Sequence, residues 1–333
     1  MSILVVGSVA LDSIQTPFGK VREALGGSAT YFSVAARLYH QPVHLVAVVG
    51  TDFPQAHLDS FRSFNIDIAG LQVAEGQTFR WSGRYDYDLN TAETLDTQLN
   101  VFASFHPQLP EEYRDAEYVF LANIDPVLQL EVLSQIRQPK LTVLDTMNYW
   151  ISYRKDALTE AISAVDIVLI NEAEARQYAN TFSLVRAANK ILSLGPRALV
   201  VKKGEYGAML FSRDLDPRQG CFFAPAYPLE KINDPTGAGD SFAGGFMGHL
   251  AASKYAPPQA KGQMADVIRR AIVHGSVVAS YTVEDFGVNR LRTMTLEDVT
   301  NRYSDFKRFT YFEPVCPVAD GCERLAAMGG WTR

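Results

Sequence analysis

The stretch Asp234-Pro235-Thr236-Gly237-Ala238-Gly239-Asp240-Ser241-Phe242 predicts a tight turn that leads directly into a helix. Pro235 fixes its own φ and has no N–H, while Gly237 and Gly239 tolerate backbone angles that side chains exclude. The amides of Gly237, Ala238 and Gly239 could then point into one small space at the helix start. The dipole and the unpaired N–H groups of a helix start favour an anion such as phosphate there.

Asp240 lies in the first turn of the same predicted helix. A carboxylate beside an anion site is unfavourable for binding alone, but it suits removal of a proton from a hydroxyl that attacks a bound phosphoryl group. The alternative is purely structural: the glycines cap a core helix, and Asp240 is a surface acid that complements the helix dipole. The stretch by itself leaves both interpretations open.

The composition excludes several classes of protein. The chain has 333 residues, 47% of them hydrophobic, which is enough for one large domain or two smaller ones. A net charge of −6 argues against general binding to nucleic acid or to anionic membranes. No apolar run approaches the roughly 18 residues of a membrane span, and no signal peptide is recognisable. The three cysteines lack C-x-x-C spacing, so we expect reduced thiols in a cytoplasmic protein.

Short apolar runs alternate with amphipathic segments along most of the chain, which predicts an α/β fold with a mainly parallel sheet. The predicted strands lie at about 3–6, 43–49, 118–121, 141–144, 166–170, 198–202, 208–211 and 221–224. The predicted helices lie at about 53–64, 127–137, 154–164, 172–180, 183–194, 264–282 and 295–309.

Two features depart from this pattern, a polar insertion and an acid after the first strand. Residues 77–105 are polar, aromatic and alternating, which predicts a small β insertion lying over the strand ends. Asp12 follows an apolar run at 9–11 that we interpret as a continuation of the first strand. An acid at a strand end is either a ligand contact or a turn residue, because open α/β sheets bind ligands at that edge.

Other nucleotide and hydrolase motifs are missing. The sequence has no G-x-x-x-x-G-K-[ST], which disfavours a Walker-type NTPase, and no G-x-G-x-x-G after its first strand, which disfavours a dinucleotide-binding oxidoreductase. It also has no H-E-x-x-H or G-x-S-x-G. The anion-binding turn is therefore the main candidate for chemistry.

An ordered set of motifs resembles the ribokinase-like, PfkB-type family of sugar and nucleoside kinases over about residues 1–310. The most specific match is Asp234–Asp240, which fits the family pattern D-[TP]-[TV]-G-A-G-D. The other matches follow in family order: Asp12, the Gly26-Gly27 hinge, the N-x-x-E motif Asn171–Glu174, and the [TK]-x-G-x-x-G turn Lys202–Gly207. Several independent matches in order favour the functional interpretation of Asp240.

The resemblance implies a three-layer α/β/α domain over residues 1–310 with a central, mainly parallel sheet and a β lid at about 77–105. Residues 311–333 would be a weakly ordered tail. ATP and Mg²⁺ would be cosubstrates, and a sugar or nucleoside would be the acceptor, with no nucleic acid or membrane as a partner. The exposed edge of the lid makes a homodimer through the lid plausible.

The resemblance also assigns roles to residues. Asp240 would be the general base, and the amides of Gly237, Ala238 and Gly239 would stabilise the transferring phosphoryl group. The substrate site would contain Asp12, Gly26, Gly27, Ser28 and Asn148. The nucleotide site would contain Asn171, Lys202, Gly204 and Gly207. We add His274 as a candidate nucleotide contact, with a core or surface histidine as the alternative. Glu174 would organise Mg²⁺ through water, and Asp234 and Thr236 would shape a loop for a monovalent cation such as K⁺.

The acceptor is the least constrained part of the interpretation. We expect a sugar or sugar-like substrate that is phosphorylated on a primary CH₂OH, with a nucleoside as the alternative and a non-catalytic ligand-binding protein as a further one. Two departures from the family pattern keep these open. Ser28 replaces the usual Asn after the hinge, and residues 144–150 differ from the D-P-N-x-R run of typical fructokinases.

Overall fold

The computed structural model describes residues 2–213, 221–257 and 263–310, and gives no side-chain description for 263–265. The strands are β1 Ile3–Val6, β2 Ala10–Thr16, β3 Gly19–Gly26, β4 Val43–Gly50, β5 Ile66–Ala74, β6 Arg80–Tyr85, β7 Ala92–Gln98, β8 Tyr118–Leu121, β9 Leu141–Leu144, β10 Ile167–Asn171, β11 Ala198–Lys202, β12 Ala208–Ser212 and β13 Phe222–Ala224. The helices are α1 Ser28–Ala36, α2 Gln55–Ser63, α3 Pro126–Gln135, α4 Asn148–Tyr153, α5 Lys155–Ser163, α6 Glu172–Ala179, α7 Leu184–Leu192, α8 Ala238–Ala252, α9 Gln263–Thr282, α10 Asn289–Thr293 and α11 Leu296–Thr310.

Within these ranges, nine strands form one large sheet in the order β13-β12-β11-β10-β9-β8-β1-β4-β5. The neighbours from β5 to β11 pair in parallel, and β12 and β13 add an antiparallel edge. The predicted α/β fold with a mainly parallel sheet is therefore confirmed.

The sheet is buried on both faces, which produces the predicted three layers. Along β1, Ile3 and Val5 join one core cluster, while Leu4 and Val6 join the other. Side chains alternate along a strand, so each parallel strand supplies both cores. Helices α1, α8 and α9 pack on the first face, and α3, α5, α6 and α7 pack on the second.

A second sheet of four strands, in the order β3-β2-β6-β7, forms the lid. The insertion predicted at 77–105 supplies only β6 and β7. The rest comes from the β2–β3 hairpin, and β2 pairs in parallel with β6. Our expectation that residues 9–11 continue the first strand was wrong, because the chain leaves the large sheet after β1 and enters the lid at Ala10. Asp12 is consequently a lid residue.

Glycines in α8 permit the close helix packing on which the first face depends. A Cβ atom on Gly244 would lie 2.5 Å from the Phe32 carbonyl oxygen of α1. A Cβ atom on Gly245 would lie 2.8 Å from the Val278 side chain of α9. Helix α8 is thus held between two helices with its first turn fixed at the sheet edge.

The carboxyl ends of four central strands lie side by side. Leu121 of β8 pairs with Leu144 of β9, and Asn171 of β10 pairs with Lys202 of β11. Residues that directly follow these strands therefore meet at one edge of the sheet. In an open α/β sheet this is the edge where ligands bind.

No helix in the described ranges is long and apolar enough to cross a membrane. The predicted tail at 311–333 lies outside the described residues, so its expected weak order stays a prediction.

We expect Gly244→Ala to lower the stability of the protein, although alanine is the better helix former. The gain in helix propensity is about 1 kcal/mol, whereas overpacking against α1 costs about 1–3 kcal/mol. Denaturant unfolding measures the net change in the free energy of unfolding. Ala252→Gly, at an exposed position of the same helix, calibrates the propensity contribution. A Gly244→Ala protein more stable than wild type would contradict the packing described here.

Candidate active site

We call Asp234–Gly239 the anion-binding turn after its predicted role; it leads directly into α8, as the sequence indicated. Gly237 precedes α8 with φ +74°, in the left-handed region that favours glycine. A Cβ atom there would also lie 2.4 Å from ring atoms of Tyr31, so the ring packs directly under the turn. The Ala238 amide donates to the Pro235 carbonyl at 3.2 Å, so it is already used within the turn. The Ala238 amide is therefore not free, although we expected that all three amides could point into one space.

Asp234 anchors this turn to the segment after α9. One of its carboxylate oxygens accepts from the Thr236 amide at 2.9 Å, and the other accepts from the Gly287 amide at 3.0 Å. Asp234 is fully buried. Both carboxylate oxygens thus have structural partners, and a role for Asp234 and Thr236 in binding K⁺ stays a prediction.

Lys202 and Asp145 form a buried ion pair at the ends of β11 and β9. The Lys202 ammonium lies 2.5 Å from the Asp145 carboxylate, and both side chains are largely shielded from solvent. A Cβ atom on Gly239 would lie 3.2 Å from the Lys202 Nζ atom. The ammonium group therefore lies beside the start of α8, where it adds positive charge next to the predicted anion site.

The charge of Lys202 also acts to lower the pKa of two further carboxyl groups, those of Asp240 and Glu174. Burial raises the pKa of Asp240 to about 7, with Asp145 adding to the shift and Lys202 opposing it. Burial likewise raises the pKa of Glu174 to about 7, again opposed by Lys202. Burial alone would lower the pKa of Lys202, but the neighbouring carboxylates raise it above its ordinary value. The lysine therefore stays charged while Asp240 and Glu174 titrate near neutrality.

The N-x-x-E motif has a local structural role. The Asn171 side chain accepts from the Glu174 amide at 2.8 Å, and Glu174 Oε2 accepts from the Asn171 amide at 2.9 Å. This is a capping box at the start of α6. It holds the buried Glu174 carboxyl group at the same sheet edge as Lys202 and leaves Oε1 outside the capping pair.

Asp12 faces the site from the lid. It is 4% exposed, and burial raises its pKa to about 7, opposed by the Gly27 amide and increased by Asp234 and Asp240. A Cβ atom on Gly26 would lie 1.9 Å from an Asp12 carboxylate oxygen, and Gly27 has φ +94°. The hinge glycines are therefore required for Asp12 to lie where it does.

The Ser28 hydroxyl is used in hydrogen bonds inside the protein. Ser28 is the first residue of α1, and Gly27 precedes it as the N-cap without a side-chain hydrogen bond. The Ser28 Oγ atom accepts from the Ser8 amide at 3.2 Å and lies 3.1 Å from the Ser8 hydroxyl. These bonds connect the end of β1 to α1, so the Ser28 side chain supports the substrate side of the site rather than projecting freely into it.

The lid contacts the rest of the chain on the nucleotide side as well. Gly204 and Gly207 have φ +56° and +96°, and they form the turn between β11 and β12. Asn90, at the tip of the lid, donates to the Glu205 carboxylate at 3.0 Å. At the anion-binding turn, Thr236 donates to the Tyr85 hydroxyl at 3.2 Å. The lid thus covers the sheet edge in a closed position.

Two predicted site residues are not brought into this cluster by any described contact. Asn148 begins α4 and is exposed. His274 stacks between His249 and Tyr303, with ring centroids 4.1 and 4.6 Å away, and lies 3.2 Å from the Tyr39 hydroxyl. These are contacts of a packed residue between helices, so a nucleotide-binding role for His274 stays a prediction.

Sequence reasoning missed Tyr31 and gave Asp145 no assigned role. Asp145 directly follows β9, so the strand pattern already placed it within reach of the site, although without a specific role. Tyr31 carries no comparable signal, because an aromatic residue in a buried helix normally indicates core packing.

The family profile of pfkB carbohydrate kinases matches residues 2–292. The chain belongs to the PfkB family. A cytidine kinase from Thermococcus kodakarensis is 32% identical over 252 residues, which cover 74% of this chain and 87% of that protein. The fold is that of ribokinase-like proteins. The Methanocaldococcus jannaschii nucleoside kinase structure aligns with a TM-score of 0.71 at 23% identity, covering 91% of this chain and 98% of that one.

A putative ribokinase II from E. coli, solved in complex with ATP and Mg²⁺, aligns with a TM-score of 0.72 at 16% identity and covers 91% of this chain and 99% of that one. This PfkB protein is thus a phosphotransferase that acts on an alcohol group. Among its described residues, no group of three or more His, Cys, Asp or Glu side chains is arranged to hold a metal ion.

We expect the histidine stack of this PfkB kinase to lose stability at acidic pH. Burial lowers the pKa of His249 to about 4 and that of His274 to about 3, below the ordinary value of 6.5. The unfolded chain then binds more protons than the folded one below pH 6.5, so stability falls as the pH drops from there toward 4.

Buried acids with raised pKa values instead increase the stability of the folded state as the pH falls. The test therefore compares two proteins at each pH. His274→Phe keeps an aromatic ring but cannot be protonated, and its melting temperature should fall less than that of wild type between pH 7 and pH 4.5. His106→Phe, at an exposed position, is the control. Parallel curves for wild type and His274→Phe would refute the effect.

Proposed function

We propose that this PfkB kinase transfers the γ-phosphoryl group of ATP to a hydroxyl, on a primary CH₂OH, of a nucleoside. The observation that carries the proposal is the arrangement of Asp240 and Lys202 at the anion-binding turn, with Asp12 facing them from the closed lid. The cytidine kinase and nucleoside kinase relatives support a nucleoside acceptor over the sugar that we first expected.

The reaction requires one proton transfer and one phosphoryl transfer. Asp240 accepts the proton of the acceptor hydroxyl, the hydroxyl oxygen bonds to the γ-phosphorus, and the bond from that phosphorus to the bridging oxygen breaks to release ADP. A base with a pKa near 7 is suited to this task, because about half of it is ionised at neutral pH and the ionised form is basic enough to take the proton.

The charge that develops on the phosphoryl oxygens needs positive partners. The amides of Gly237 and Gly239 and the start of α8 offer partial positive charge, and the Lys202 ammonium beside Gly239 offers a full one. Asp145 fixes the lysine side chain in this place. We assign Ala238 to the same site through its position in the turn.

A structural relative, the putative ribokinase II from E. coli, was solved in complex with ATP and Mg²⁺. A single carboxylate that acts through water, together with the phosphates of ATP, is compatible with that ion. Mg²⁺ keeps several waters and neutralises phosphate charge when bound. Glu174 would hold one of those waters through Oε1, because Oε2 is used in the capping box. Asn171, Gly204 and Gly207 would position the backbone on the nucleotide side. A dependence on K⁺, and a homodimer through the lid edge, are further proposals that activity with varied cations and light scattering would test.

A sugar acceptor is the second candidate, because the same fold occurs in the ribokinase relative. Asp12, Gly26 and Gly27 are compatible with either acceptor, since a ribose hydroxyl occurs in both. A non-catalytic ligand-binding role is disfavoured by the presence of both Asp240 and Lys202 at the anion-binding turn.

The acceptor class can be tested by coupling ADP release to a panel of nucleosides and free sugars at fixed Mg-ATP. We expect a nucleoside to give the highest kcat/KM. A free sugar with a higher kcat/KM than every nucleoside would replace the nucleoside proposal, and no phosphorylated acceptor at all would refute the kinase function.

Asp240→Asn is the catalytic control in the same assay. We expect kcat to fall by about 10²–10⁴-fold, because the amide cannot accept the proton, while acceptor binding is retained. In the wild type, kcat/KM should rise with pH through about 7 as Asp240 ionises. Near-normal turnover by Asp240→Asn would remove this residue from the mechanism.

A further inference from the structure

Tyr31 places a phenol group inside the site just described. Its side chain is fully buried in α1, and its ring lies under Gly237. Because Gly237 begins the anion-binding turn, the ring is fixed by the same contact that shapes the turn. The hydroxyl at the end of the ring is then held at a defined place.

This hydroxyl has no hydrogen-bond partner among the described residues. An unsatisfied buried hydroxyl is unfavourable and uncommon in folded proteins. The titratable groups that interact with it electrostatically are those of Asp234, Asp12, Tyr85 and Asp240. Burial, with these groups, raises the pKa of Tyr31 well above its ordinary value, so the hydroxyl keeps its proton at neutral pH.

The groups around Tyr31 are complementary to an alcohol. Ionised Asp12 and Asp240 can only accept hydrogen bonds, whereas an alcohol brings one proton and two lone pairs. A protonated phenol supplies the donor that the carboxylates lack. A phosphate would be repelled by the acids on this side, and its positive partners lie instead at Lys202 and the amides of the turn.

We propose that the Tyr31 hydroxyl is a substrate-binding group that donates a hydrogen bond to an acceptor hydroxyl held between Asp12 and Asp240. The proposal rests on the proposed kinase function and adds to it a residue that determines which hydroxylated acceptors bind. The reacting hydroxyl of the substrate, or a neighbouring hydroxyl, would accept a hydrogen bond from Tyr31 and donate one to a carboxylate.

Tyr118 offers a matched control. Its hydroxyl is also buried and also has no described hydrogen-bond partner, but it lies at the amino end of β8, opposite the active edge. Tyr118→Phe and Tyr31→Phe therefore make the same chemical change, one outside the site and one inside it. Neither substitution removes a hydrogen bond that the described residues make, so neither should lower the melting temperature.

The experiment measures steady-state kinetics of wild type, Tyr31→Phe and Tyr118→Phe with the best acceptor of the panel. Tyr31→Phe should raise the KM for the acceptor about 10-fold or more, since the substrate oxygen loses a donor in a buried site. The KM for ATP should stay within about 2-fold. Tyr118→Phe should match wild type in both constants.

Deoxy analogues of the acceptor, each lacking one hydroxyl, sharpen the test. The analogue that lacks the hydroxyl contacted by Tyr31 should bind poorly to wild type. Its binding should weaken no further in Tyr31→Phe, because both changes remove the same hydrogen bond. An unchanged acceptor KM in an active Tyr31→Phe protein, or a lowered melting temperature with equal losses for every acceptor, would overturn the role of Tyr31. Absence of activity in wild type would instead refute the proposed function.

Discussion

The ammonium group of Lys202 allows three carboxyl groups to lie together at one buried edge of the sheet. Asp145, Glu174 and Asp240 would repel one another strongly in a poorly solvated site if no cation lay among them. The direct contact with Asp145 fixes the ammonium, and its charge limits how far the pKa values of Glu174 and Asp240 rise. The same cation lies beside Gly239, so it links the acid cluster to the anion-binding turn.

The parallel sheet and the lid supply the two halves of the site. Strands β9, β10 and β11 end side by side, which places Asp145, the capping box of α6 and Lys202 at one edge. The lid brings Asp12 from the other side, and it contacts the turn before α8 through Tyr85 and Thr236. With ATP bound as we propose, closure of the lid would exclude water from the phosphoryl group and limit hydrolysis of ATP.

The sequence predicted the parallel sheet, most helix bounds and the turn before α8, because these depend on local patterns of apolar, glycine and proline residues. It did not predict that the β2–β3 hairpin belongs to the lid, because the pairing of β2 with β6 joins segments about 70 residues apart in the chain. Nor could it show that the Ala238 amide and the Ser28 hydroxyl are used inside the protein. The role that we propose for Tyr31 rests on a hydroxyl with no hydrogen-bond partner among the described residues, which only the assembled site reveals.

The pH dependence of kcat/KM in Lys202→Met, compared with wild type, tests the central role of this lysine most directly. Methionine fills a similar volume without the charge, and Lys203→Met, which removes the neighbouring lysine paired with Glu172, is the control. The account predicts that the apparent pKa near 7 rises by about one unit or more in Lys202→Met and stays unchanged in Lys203→Met. An apparent pKa in Lys202→Met equal to that of wild type would contradict it.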